Sequence, residues 1–80
     1  MTIHHLATYV NKSTIALTTE RFGLPVATVV QTESDSWSVL LAHRFGFLGE
    51  KRPDERTYLS ADAACADVVG WSNDCYRLSS

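Results

Sequence analysis

The residues best suited to chemistry in this chain are three histidines, His4, His5 and His43, and two cysteines, Cys65 and Cys75. Together they are the donor types of a structural zinc site. Such sites are built from close pairs such as C-x2-C joined to H-x3-H. Here His4 and His5 are adjacent and point in different directions on a helix or a strand alike. Cys65 and Cys75 are ten residues apart, about 15 Å of rise on a continuous helix. That spacing neither chelates a metal nor brings the Cα atoms within the roughly 7 Å that a disulfide needs. A Cys/His nucleophilic pair would require one cysteine beside His43 with a third group to orient it. The cysteines instead fall on an apolar helical stripe, which accounts for them as small core residues. Neither G-x-x-x-x-G-K-[ST] nor G-x-G-x-x-G occurs, so the sequence offers no phosphate-cradling loop. No metal, no cofactor and no catalysis are expected, and both thiols are expected to be free.

The elements that would position these residues are read from periodicity and punctuation. In residues 1–22, Ile3, Leu6, Tyr9 and Val10 recur at helical spacing, and Ile15, Leu17 and Phe22 extend the apolar side. Arg21, Gly23 and Pro25 follow in the order of a helix stop. The segment is read as a helix, broken near residues 11–13. The competing reading is a strand over residues 14–19, favoured by the β-branched threonines, with Ile15 and Leu17 on one face. Residues 26–32 and 37–43 are dense in β-branched and apolar residues, and the polar run 33–36 separates them, so they predict an antiparallel hairpin. Residues 44–54 are read as a loop and 56–59 as a short third strand. Ser60 is placed to cap a helix, with Asp62 in its first turn. Ala61, Ala64, Cys65, Val68, Trp71, Cys75 and Leu78 give that helix one apolar side, weakened or ended at Gly70. The expected fold is α+β, in α-β-β-β-α order. A small antiparallel sheet of about three strands carries its helices on one face, with one more strand if the first segment pairs.

The chain has 80 residues, 45% hydrophobic and 20% charged, which describes one folded domain with a thin core. Seven basic against nine acidic residues give a net charge of -2. Nucleic-acid binding draws on neutralised phosphates and favours a basic face, so a protein partner is expected and direct nucleic-acid contact is not. Neither a secretory leader nor an apolar run of membrane-spanning length is apparent, which points to the cytoplasm and no membrane.

Residues 18–29 (TTERFGLPVATV) resemble the middle of a helix-turn-helix, with Phe22, Gly23, Leu24 and Val29 at matching positions. That resemblance implies a small DNA-binding regulator and is the alternative reading. It departs from the family at Thr19 and in a would-be recognition helix that carries no Lys or Arg. The element order is also that of a double-stranded-RNA-binding domain. The basic cluster that family places at the start of its last helix is here Ser60-Ala61-Asp62-Ala63-Ala64. In size, acidity and element order, including the Ala-rich run 59–66, the chain resembles small phage-encoded anti-CRISPR proteins that inhibit type I surveillance complexes. The resemblance implies a non-enzymatic inhibitor that blocks target-DNA binding by such a complex. The candidate contact residues are Glu33 and Asp35 in the polar turn and Asp62 and Asp67 on the helix, with Asp74 on the same acidic face. Phe45, Phe47, Lys51 and Arg52 form a second candidate patch, because aromatics and arginine are common interface anchors.

Overall fold

The computed structural model describes residues 2–42 and 52–79, with side chains described up to Cys75. Five strands form one antiparallel meander: β1 (His5–Asn11), β2 (Thr14–Thr19), β3 (Pro25–Gln31), β4 (Trp37–Leu41) and β5 (Thr57–Tyr58), each pairing with the next. A 3-10 turn at Pro53–Glu55 precedes β5, and the helix α1 (Ala61–Ser79) follows it.

The expected α-β-β-β-α order is overturned at its first element. The described residues 2–22 hold no helix. They supply the β1–β2 hairpin, in register from His5 opposite Thr19 to Tyr9 opposite Ile15. The turn at Lys12-Ser13 is closed by Asn11, whose side-chain oxygen accepts the Ser13 N–H at 2.8 Å. Among the described residues the sheet therefore has five strands rather than about three, and a single helix covers it. The threonines that weigh against a helix favour a pleated one here. The helix-stop signal is real but serves a single turn: the Gly23 N–H donates to the Thr19 carbonyl at 2.9 Å, an i to i+4 bond inside the β2–β3 loop. Gly23 closes that turn at φ +64°, in the left-handed region.

The expected hairpin and helix cap are present, the expected break at Gly70 is not, and most of the loop read at 44–54 lies outside the described residues. β3 and β4 pair from Ala27 opposite Leu41 to Gln31 opposite Trp37, on either side of the polar turn. The Ser60 hydroxyl caps α1 by accepting the Ala63 N–H at 3.1 Å. α1 runs through Gly70 without a break.

Alternation sorts the sheet into two faces. Ile15 and Leu17 of β2, Ala27 and Val29 of β3 and Val39 of β4 turn inward and pack with Ala64 and Val68 of α1. A register shift between Leu17 and Thr18 adds Val26 to the same core, with no exposed surface. α1 starts beside β5, and its residues Ser72 and Asn73 bond His5 and Ile3. It therefore crosses the sheet diagonally from the β5 side toward β1. The opposite sheet face carries Leu6, Val10 and Leu40, exposed by 49%, 66% and 61%.

Two glycines test this backbone in opposite directions. A Cβ at Gly70 would meet nothing within 4 Å, so Gly70→Ala is expected to raise the unfolding free energy by about 0.5–1 kcal/mol. Gly23 also has open space, but its φ of +64° is strained for any L side chain. Gly23→Ala is expected to lower stability by about 1 kcal/mol. Urea denaturation of the two variants should give opposite signs.

Candidate functional site

One end of the sheet carries three of the exposed acidic groups, Glu33, Asp35 and Asp62. The β3–β4 turn holds Glu33 and Asp35 clear of the body, closed by the Thr32 N–H donating to the Ser36 carbonyl at 2.7 Å. Asp35 adopts φ 62°, a conformation that aspartate tolerates better than most side chains. β5 runs toward the same end, since Tyr58 lies opposite Trp37. The chain leaves β5 after Tyr58 and bends at Leu59 and Ser60 at this end of the sheet. Ser60 then starts α1, and Asp62 stands exposed in its first turn. Two elements distant in sequence thus deliver Glu33, Asp35 and Asp62 to one end of the molecule.

Leu59 is the unusual residue of this end. It occupies the position just before a helix cap, from which an apolar side chain ordinarily folds back onto the first turn. Here it is 94% exposed, the most exposed large apolar side chain among the described residues. Exposed apolar side chains of this kind are common anchors where one protein surface covers another.

The remaining expected contact residues are placed differently. Asp67 is tied into the fold: the Arg56 guanidinium lies 2.9 Å from its Oδ2, and the Tyr58 hydroxyl donates to the same oxygen. Burial, and then the hydrogen bond to Asp67, push the Tyr58 hydroxyl up to about 12. Arg52 pairs with Asp54 at 3.1 Å. Phe45, Phe47 and Lys51 lie outside the described residues. Asp74 is exposed on α1, on the part of the helix that lies beyond the turn.

Of the donors considered for catalysis, the two cysteines pack in or against the buried interior and His5 forms a latch, while His43 lies outside the described residues. Both cysteines are free thiols. Burial pushes both up, with Asp62 adding to the effect at Cys65 and Asp74 at Cys75, so each is held as the weakly reactive thiol. His5 lies between the Ile3 carbonyl, 3.0 Å from Nδ1, and the Ser72 hydroxyl, 3.0 Å from Nε2. A carbonyl can only accept, so Nδ1 carries the proton and Nε2 accepts from Ser72. Ser72 has no exposed surface, so its hydroxyl joins the N-terminal segment to α1 instead of facing a substrate. Asn73 completes the latch by accepting from the Ile3 N–H and donating to its carbonyl. Among the described residues no cluster of three or more His, Cys, Asp or Glu side chains is assembled as for a metal ion.

The latch makes stability depend on pH. Burial holds the His5 imidazole below its usual range of about 6.5, against the pull of the Ile3 carbonyl. The unfolded chain then binds this proton more readily than the native one. The stabilisation is complete above about pH 6.5 and is lost as pH falls below it. Chemical denaturation across this window should show an acid limb that flattens in His5→Gln.

The opposite end holds an open cleft of about 720 Å3, walled by Ile3, His4, Thr19, Arg21, Phe22 and Leu24 among others. Phe22 is 72% exposed, and the Arg21 guanidinium stands 5.2 Å from its ring centroid. Sequence reasoning missed both Leu59 and this tip, because Leu59 was read as part of the short third strand and Phe22 as part of the apolar side of a helix. Among the described residues no helix is long and apolar enough to cross a membrane. The chain matches no family model, no curated protein and no solved structure.

Proposed function

We propose that this chain is a non-enzymatic protein-binding inhibitor that meets a basic, nucleic-acid-binding partner with the Glu33/Asp35/Asp62 end. The observation that carries the reading is Leu59, 94% exposed, at the same end of the molecule as those carboxylates. An exposed aliphatic anchor gives affinity once covered, and the carboxylates orient the encounter and select a basic surface. The partner class implied by the chain's resemblance is a type I CRISPR surveillance complex in a bacterial cytoplasm. Covering its DNA-binding surface would block the target without any chemistry. The net charge of -2 supports the protein over DNA or RNA as the direct ligand, because it provides little counterion release.

The test is a mobility-shift assay on bare duplex alongside association kinetics with the purified complex. The duplex should not shift at physiological salt. The association rate should fall as salt rises, because exposed charges are screened within about 8–10 Å. Reversing Glu33 and Asp35 to Lys should slow association, whereas Phe22→Ser at the far end should leave it unchanged. A shifted duplex with no binding to the complex would refute the reading in favour of a DNA-binding regulator.

A further inference from the structure

Among the described residues β1 pairs with β2 alone, which leaves its outer edge without a strand. The Glu20 N–H donates to the His4 carbonyl, which fixes the alternation along the strand. Residues 4, 6 and 8 direct their backbone groups at β2, in register with 20, 18 and 16. His5, Ala7 and Tyr9 therefore turn their N–H and C=O groups outward. The edge has defined limits. Below His5, both backbone groups of Ile3 are held by the Asn73 side chain. Above Tyr9, the register shifts before Asn11. Natural sheets ordinarily blunt such an edge with Lys, Pro or an inward charge. Residues 2–11 contain no Asp, Glu, Lys, Arg or Pro, and from Leu6 to Asn11 the strand is exposed throughout.

We propose that β1 pairs antiparallel with β1 of a second copy about a two-fold axis at Ala7, joining the two sheets into one. In this register Ala7 faces Ala7 of the other copy, and His5 faces Tyr9. All three outward residues of each strand are used, giving about six inter-strand hydrogen bonds. The small Ala7 side chain stands at the axis. On the outer face Leu6 lies opposite Thr8, and Val10 extends the apolar strip. A second copy is the occupant that the charge pattern favours. A two-fold pairing sets each edge against itself, and an edge free of formal charge meets no like-charge repulsion. Pairing over five residues is a small interface, in the class below about 1,200 Å2, so the dimer forms in a concentration-dependent way.

Sedimentation velocity over about two decades of concentration should show a monomer giving way to a dimer. Amide exchange supplies a residue-level readout that does not depend on any variant. The N–H groups of Leu6 and Thr8 should be protected at every concentration. Those of His5, Ala7 and Tyr9 should become protected only as the dimer forms. Ala7→Pro removes an outward N–H without breaking a β1–β2 bond, and it should keep the circular-dichroism spectrum while abolishing the dimer. A monomer at every concentration, or a dimer that leaves His5, Ala7 and Tyr9 exchanging freely, would overturn the proposal.

Discussion

Leu17→Ala is expected to destabilise the protein by about 2–5 kcal/mol, the range for truncating a buried leucine. Leu17 is 2% exposed. It sits in β2 opposite Ala7 on one side and Ala27 on the other. Both neighbours are already alanine, so neither can extend a side chain into the space left behind. The loss should therefore fall toward the upper part of the range. An 80-residue domain has only about 5–10 kcal/mol in total, so this one change should bring the chain close to its unfolding threshold. Urea denaturation followed by far-ultraviolet circular dichroism would measure it. A loss under about 1 kcal/mol would mean that Leu17 does not fill the space between sheet and helix.

Leu59→Ser is expected to do the reverse: little to stability and much to binding. A side chain 94% exposed contributes almost nothing to the fold, so the unfolding free energy should move by less than about 0.5 kcal/mol. If the partner covers Leu59, the loss of its burial removes about 1.5–3 kcal/mol, roughly a 10- to 150-fold weakening. The effect should appear mainly in the dissociation rate, because apolar contacts form after the encounter. Charge reversal at Glu33 and Asp35 should act mainly on the association rate. Titration calorimetry with kinetics on the two variants would separate the contributions. Unchanged affinity in Leu59→Ser would remove Leu59 from the interface.

The contrast between Leu17 and Leu59 bears on how far the sequence could be read. A two-residue period is legible where one face is buried. In β2 the burial alternates residue by residue, and the Ile15/Leu17 spacing suggested a strand for that reason. β1 is an edge strand and almost wholly exposed. Nothing there enforces alternation, so Ile3, Leu6, Tyr9 and Val10 fell by chance at helical spacing. The Gly23–Pro25 signal was ambiguous because a helix end and a one-turn hairpin loop use the same left-handed glycine. Gly70 suggested a break, but Val68, Trp71 and Cys75 pack on either side of it and carry the helix through. The exposure of Glu33, Asp35 and Asp62 was legible because turns and first helical turns keep carboxylates in water. Asp67 was not, since Arg56 and Tyr58 reach it only after β5 docks against α1.

The measurement closest to the central claim is a competition titration of a purified type I CRISPR surveillance complex bound to its target duplex. The wild-type protein should abolish DNA binding with a break at a fixed molar ratio, as a binder does and a catalyst does not. Preincubation time should not move that ratio. A Glu33→Lys, Asp35→Lys, Leu59→Ser triple variant, folded by circular dichroism, should leave DNA binding intact. Loss of DNA binding at far below one protein per complex, or equal inhibition by the triple variant, would contradict the account.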